Sequence, residues 1–259
     1  MPELPEVEAY RELATTVVGR RVTAVRAPDP WYVKGAPVDA LVAALSGRTV
    51  AAARRRGKLL VLDTDGPDRL GLRFGMTGTL AVDGHLALKR LRYASAEPDA
   101  RWVRFELGFA GGGSMTVHDP RRLGGVCLDP DESALGPDAA TVGTAALGAA
   151  LAGSTAPLKA RLLDQARLAG VGNLVADEVL WRAGLAPDRP AGSLGRTEVA
   201  RLRRALVAGI ADLCRRGGSD AGDLFDHRRP GGRCPRDGTA LIRGTIGGRT
   251  TWWCPFHQR

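Results

Sequence analysis

Behind Pro5, the apolar residues Val7, Tyr10, Ala14, Val17 and Val18 recur at helical spacing, with Glu6 and Glu8 at the positive end of the helix dipole and Gly19 as a stop. The pattern predicts one helix, running from Pro5 to Val18. Farther along, the period shortens. Apolar runs at 59–62, 70–74, 79–82 and 102–107 are bounded by turns, and Asp65-Gly66 and Asp83-Gly84 are hairpin dipeptides between them. Residues 1–130 therefore predict an antiparallel β domain fronted by one helix.

From Pro137 the pattern is helical again. Predicted helices at 158–168 and 174–183 flank Ala169-Gly170-Val171-Gly172, a tight turn that glycines make easily. A later helix carries Val199, Leu202, Leu206, Ile210 and Leu213 on one face and ends at Gly217-Gly218. In the stretch 234–259, Asp237-Gly238 and Gly247-Gly248 lie among β-formers, which predicts a two-stranded ribbon. No internal repeat is present in the sequence.

Length and composition narrow the possibilities. At 259 residues and 44% hydrophobic content, the chain is long enough for two domains with real cores. A net charge of +9 suits a polyanionic partner, although arginine-rich composition alone does not establish one. No apolar run approaches the roughly eighteen residues of a membrane span, and the acidic start is unlike a signal peptide, so the expected location is the cytoplasm, with no membrane partner. In that reducing compartment Cys127, Cys214, Cys234 and Cys254 are not expected to form disulfides, and the first two sit among apolar residues as small core side chains.

Several stretches carry candidate chemistry. Helix entry accounts for Pro5 but not for Pro2-Glu3 at the start of the chain. In the tail, Cys234-Pro-Arg-Asp237 and Cys254-Pro-Phe-His257 would converge four side chains on one point, the geometry of a structural zinc site; the alternative is a metal-free hairpin held by Trp252, Trp253 and Phe256. The turn ending in Asn173 leads into a helix N-terminus whose amides suit a phosphate, or into an ordinary helical hairpin with an Asn cap. Arg54-Arg55-Arg56-Gly57-Lys58 is either a solvated edge or a reach toward a backbone phosphate. Met76 on a glycine-flanked turn, and Arg121 and Leu123 on a surface loop spanning 118–124, are by default core or loop residues; together they suit a wedge for a kinked or emptied DNA stack.

With these residues in order, the chain resembles the formamidopyrimidine-DNA glycosylase and endonuclease VIII family from end to end. The resemblance rests on Pro-Glu-Leu-Pro-Glu-Val-Glu at the start, Gly57-Lys58, Gly75-Met76-Thr77-Gly78, Asp119-Pro-Arg-Arg122, Gly170-Val-Gly-Asn173 and the tail ribbon. It implies an α+β fold: an N-terminal β-sandwich with a leading helix over 1–130, a helix-two-turn-helix domain over 135–225, and a zinc-finger-like β-ribbon over 230–259. It implies a bifunctional glycosylase and AP lyase, acting as a monomer on duplex DNA with a damaged base or abasic site. In that scheme Met1 is removed and the Pro2 amine attacks the sugar, Glu3 is the general acid and base, and Lys58, Asn173 and Arg249 hold phosphates. Met76, Arg121 and Leu123 fill the gap left by the extruded nucleotide, and Cys234, Asp237, Cys254 and His257 hold one structural zinc.

Three departures qualify that scheme. Leu123 stands where the guanine-repair branch has Phe, Asp237 and His257 replace cysteines of a four-thiolate site, and the 217–234 segment is short and lacks a Tyr-Gly-Arg stretch. Leu4, where the endonuclease VIII branch has Gly, points to oxidised purines (formamidopyrimidine, 8-oxoguanine) released through a proline Schiff base with β,δ-elimination. The alternatives are oxidised pyrimidines, bulky adducts, or a non-catalytic damaged-DNA-binding protein.

Overall fold

The leading helix, α1 (Leu4–Ala14), is shorter than its apolar spacing predicts. Thr15 and Thr16 turn their hydroxyls back onto the carbonyls of Glu12 and Leu13, and a 3-10 turn at Thr15–Val17 hands over to extended backbone at Val18. β-Branched residues that bond to preceding carbonyls favour such an exit. The computed structural model describes residues 2–88 and 99–259, and these form two units. One holds Pro2 and Glu6–Glu132; the other holds Glu3–Pro5 and Ser133–Arg259.

In the first unit, β2 (Val50–Arg56), β3 (Leu59–Thr64), β4 (Arg69–Arg73) and β9 (Gly125–Leu128) form a four-stranded antiparallel sheet in that order. The second sheet has five strands in the order β1 (Val22–Arg26), β7 (Val103–Phe109), β8 (Ser114–His118), β5 (Thr79–Val82) and β6 (His85–Leu86). Alternation explains the layering. Leu70 and Leu72 from one sheet, and Phe105, Leu107, Met115 and Val117 from the other, join Val7 and Tyr10 of α1 and Leu41 and Leu45 of α2 (Val38–Leu45) in a single core. The expected β-sandwich is therefore present, and both Asp-Gly dipeptides lie between paired antiparallel strands.

The arginine run is the edge strand β2, and it is half-buried and not a solvated edge. Arg54 donates to Asp63 at 2.7 Å and to Glu132 at 2.6 Å, and Arg55 donates to Glu8 at 2.7 Å, so both cations are already engaged within the unit. Cys127 is half-buried and not a core side chain, and Cys214 packs only at the margin of the second core.

The second unit packs α3 (Thr144–Leu151), α4 (Leu158–Leu163), α5 (Asn173–Ala183) and α6 (Arg196–Arg215) around Leu147, Leu162, Val175, Val179, Leu206 and Ile210. α4 ends at Leu163, before the predicted 168, because Gln165 folds into the following turn: its amide donates to Leu163 and Val171 carbonyls, and its oxygen accepts from Gly170 N. The α4–turn–α5 hairpin is the expected helix-two-turn-helix element. β10 (Ile242–Ile246) and β11 (Arg249–Trp253) then form the ribbon about Gly247-Gly248. No helix among the described residues is long and apolar enough to cross a membrane.

Candidate nucleic-acid interface and metal site

In the first unit, two turns project from the sandwich side by side. Met76 lies on the turn after β4, and Arg121 to Leu123 lie on the loop after β8. Gly75, at φ +56°, makes their approach possible: a Cβ there would sit 2.4 Å from the Leu123 carbonyl carbon. Leu123 is 50% exposed, an unusual surface residue, and Met76 is half-buried. The loop is not wholly a surface feature as its sequence suggests, because His118 and Asp119 are buried.

His118 is held between Thr116 Oγ1 at 2.9 Å and the Asp99 carbonyl at 3.2 Å. Burial lowers its pKa, partly opposed by the Asp99 contacts. A histidine whose folded pKa is depressed leaves the unfolded state holding more protons on acidification. Its stabilisation is complete above the unfolded value of about 6.5 and is lost as pH falls below it. Urea unfolding of wild type should therefore weaken from pH 7 toward pH 5, and His118→Gln should flatten that part of the profile.

Lys58 lies in the β2–β3 hairpin beside Gly57, whose carbonyl accepts from Arg55 at 2.9 Å, and Lys58 is half-buried. Pro2, also in this unit, is buried.

In the second unit, the Glu3 carboxylate sits on the N-terminus of α5. Its two oxygens accept from the amides of Leu174 at 2.9 Å and Val175 at 3.0 Å, and Glu3 is 1% exposed. This corrects both expectations for the turn. Those two amides take a carboxylate of the chain itself and not a phosphate, and Asn173 is the first helical residue behind a Gly172 cap that has no side-chain bond. The glycines make room for it. A Cβ on Gly172 would meet the Glu3 carboxyl carbon at 2.2 Å, and one on Gly170 (φ +111°) would meet Leu4 Cδ1 at 2.4 Å. Asn173 Oδ1 is buried with no hydrogen-bond partner among the described residues.

Arg249 opens β11 and is exposed at the ribbon tip. That tip is anchored from α4 and α5. Lys159, fully buried, donates to Thr251 Oγ1 at 2.8 Å and to the Thr250 carbonyl at 3.2 Å, and Gly247 packs against Ala160. Asp177, one turn beyond Asn173, meets the Lys159 ammonium at 2.7 Å, in an ion pair poorly directed for a hydrogen bond at Oδ1. Its other oxygen accepts from Arg228 at 2.8 Å and from Trp252 N at 3.3 Å. Burial lowers the Lys159 pKa, against the pull of Asp177. Sequence alone missed this pair; its signal is an acid and a base embedded in the apolar stretches 158–163 and 173–183.

At the far end of the ribbon, Cys234, Asp237, Cys254 and His257 bring one ligand atom each within 4.8 Å of one another. His257 aims Nδ1 at this point, 2.7 Å from Asp237 and 3.7 Å from Cys234 Sγ, while Nε2 faces the Trp181 carbonyl at 3.3 Å. A proton on Nε2 toward that carbonyl would leave Nδ1 as the nitrogen that binds a metal. Trp181 also donates its indole N–H to Cys234 Sγ at 3.3 Å. Two soft sulfurs, an imidazole and a carboxylate match the donor types of a tetrahedral zinc site.

The formamidopyrimidine-DNA glycosylase N-terminal domain model matches residues 1–126, and the formamidopyrimidine-DNA glycosylase H2TH domain model matches 134–221. Curated formamidopyrimidine-DNA glycosylases of Xanthomonas campestris and Geobacter metallireducens are each 34% identical over the whole of both chains. The chain belongs to the formamidopyrimidine-DNA glycosylase family. Among solved structures, wild-type Lactococcus lactis Fpg bound to N7-benzyl-Fapy-dG DNA matches at 26% identity over the full length of both chains, with a TM-score of 0.84. Fpg of that organism with abasic-site DNA matches at 26% over 99% of both chains, with a TM-score of 0.83.

Against this family background, the structure distributes the residues named from sequence over its two units. Pro2, Lys58, Met76, Arg121 and Leu123 belong to the first, with the Met76 and Leu123 turns in contact. Glu3, Asn173, Arg249 and the tail quartet belong to the second. There Glu3 meets the turn of α5 that Asn173 opens, and the Arg249 strand hangs from the same helix through Asp177. Removal of Met1 concerns a residue outside the described ones.

Proposed function

We propose that this family member excises oxidised purines from duplex DNA and then cleaves the strand at the resulting abasic site, with Pro2 as nucleophile and Glu3 as general acid and base. The observation that carries the assignment is the buried Glu3 carboxylate on the α5 amides, one residue after Pro2. A carboxylate so placed has a fixed orientation and is dehydrated, as proton transfer at a reacting sugar requires.

Once Met1 is removed, the Pro2 amine is the chain terminus. Burial and the positive end of α1 favour its neutral form. Its lone pair forms a bond to the sugar C1′ as the glycosidic bond breaks and the base departs with that electron pair. Glu3 takes the N–H proton of the ammonium formed by that attack and then gives it to O4′ as the ring opens, which leaves an iminium that stays cationic because the amine is secondary. Loss of a C2′ proton then expels the 3′ phosphate, a second elimination expels the 5′ phosphate, and hydrolysis of the iminium returns the free amine. Lys58, Asn173 and Arg249 hold the flanking phosphates, Asn173 through its side-chain amide N–H. Met76, Arg121 and Leu123 occupy the space vacated by the nucleotide, which offsets an unstacking cost of a few kcal/mol.

The purine preference rests on Leu4, which is buried against Gly170 in the second core, and on relatives named for formamidopyrimidine. Oxidised pyrimidines are the second candidate, because a Lactococcus lactis Fpg complex with DNA containing an oxidised pyrimidine also matches, with a TM-score of 0.84. A duplex lesion panel separates the two. The chemistry itself is tested by incubation with abasic-site DNA and borohydride. A covalent adduct is expected with wild type and not with Pro2→Gly plus Glu3→Gln. Its absence from wild type, or intact Met1 by mass spectrometry, would favour a non-catalytic damage-binding protein.

Cys234, Asp237, Cys254 and His257 would hold one zinc, which would supply a structural cross-link at the end of the ribbon. Trp181→Phe removes the indole hydrogen bond to Cys234 and leaves the carbonyl facing His257. It should weaken zinc retention by about tenfold, the lower end of outer-shell effects. Competition with a chromophoric chelator measures this directly.

A further inference from the structure

We propose that Asp119 is a positioning residue that locks the Met76 turn and the Arg121–Leu123 loop into one preformed wedge; the proposal rests on the glycosylase reading above. Asp119 is fully buried, and its carboxylate is held by hydroxyl and backbone amide donors. Its Oδ1 accepts from Thr77 Oγ1 at 2.6 Å and from Arg121 N at 3.2 Å. Its Oδ2 accepts from Gly124 N at 2.8 Å and from Tyr32 OH at 3.4 Å. One carboxylate thus spans both projecting segments: Thr77 follows Met76, and Arg121 and Gly124 bracket Leu123.

The backbone around it is fixed as well. Asp119 N donates to the Trp102 carbonyl at 2.9 Å, and the Asp119 carbonyl accepts from Arg104 Nε at 2.9 Å. Arg122, held at φ +57°, closes the far side of the loop with a bidentate pair to Asp29 at 2.5 and 2.9 Å. A non-glycine residue in the left-handed region is retained only where its surroundings impose it. Only an ionised carboxylate has the acceptor capacity for these four donors; the neutral amide of Asn would turn two donor hydrogens toward at least one of them.

Rigidity matters because the wedge must replace a stacked nucleotide. If the loops were ordered only on DNA, their entropy would be subtracted from the contacts that offset extrusion. The requirement disappears when the DNA has no partner strand and no stack to fill. Asp119 should therefore matter for duplex substrates and not for abasic sites in single strands.

The test compares wild type with Asp119→Asn, Thr77→Val and Thr77→Ser on three readouts. These are lesion excision from duplex DNA, borohydride trapping on single-stranded abasic DNA, and fluorescence of 2-aminopurine placed opposite the lesion. Asp119→Asn should lose about tenfold or more on duplex, as when a hydrogen bond to a charged acceptor is left unmade, and should lose the 2-aminopurine rise. Single-strand trapping should stay within about twofold, since both catalytic groups are untouched. Thr77→Val should repeat the pattern more weakly and Thr77→Ser should restore it, which keeps the test valid if Asp119→Asn fails to fold. Parallel losses on duplex and single strand, or no duplex loss in Thr77→Val, would overturn the positioning role. Failure of wild type to trap single-stranded abasic DNA would instead bring down the underlying glycosylase assignment.

Discussion

Glu3→Gln should lower base excision and strand cleavage by about 10²–10⁴-fold, the range for loss of a general acid or base. Folding should change far less. Gln keeps one carbonyl oxygen for one α5 amide but turns its NH2 toward the other, a structural loss of about 1–3 kcal/mol. For a chain of this size that is a fall in melting temperature of about 2–12 °C. Single-turnover cleavage of lesion duplex, read beside a thermal melt, separates the two effects. A variant that retained wild-type rates would remove Glu3 from the chemistry and leave it as a cap alone, held at 2.9 and 3.0 Å by Leu174 and Val175.

The second large effect is on stability. Asp177→Ala should cost about 3–5 kcal/mol, because it strands the fully buried Lys159 ammonium without its counter-charge and frees Arg228 and Trp252 N as well. Denaturant unfolding measures the loss. The double variant Lys159→Met with Asp177→Leu should recover most of it, since an apolar pair of similar volume needs no dehydration of charge. A single variant as stable as wild type would show that water reaches Lys159. Because Thr250 and Thr251 hang from the same lysine, Asp177→Ala should also loosen the strand that begins at Arg249 and reduce affinity for DNA, most visibly at raised salt.

Much of the architecture was legible in the chain. The runs at 59–62, 70–74, 79–82 and 102–107 fall on β3, β4, β5 and β7 because short apolar runs bounded by turns such as Asp-Gly are local signals that survive packing. β2 was not legible: Val-Ala-Ala-Ala-Arg-Arg-Arg has no apolar alternation, and its arginines are accommodated by Asp63, Glu132 and Glu8, distant in sequence. α2 and α3, eight residues each, are too short to show a full apolar stripe. At the candidate site, the motifs named the side chains but not their partners. Nothing local to Glu3 says that it caps α5, and nothing local to Asp119 separates it from an exposed loop acid. Glu3 is settled by the remote amides of Leu174 and Val175, and Asp119 by the remote hydroxyls of Thr77 and Tyr32 joined to amides of its own loop.

The earliest-made residues of this protein also have a timing consequence. Glu3 bonds to amides 171 and 172 positions later, while Val7 and Tyr10 pack into the sandwich core. During synthesis at about 5–20 residues per second, the sandwich can condense well before those amides leave the ribosome. On the proposed chemistry, Met1 is trimmed during that interval, while Glu3 is still unanchored. An expression fragment ending after the sandwich would carry Pro2, the proposed nucleophile, but lack this anchorage of Glu3, its proposed acid, and so should be inert as a stand-alone catalyst.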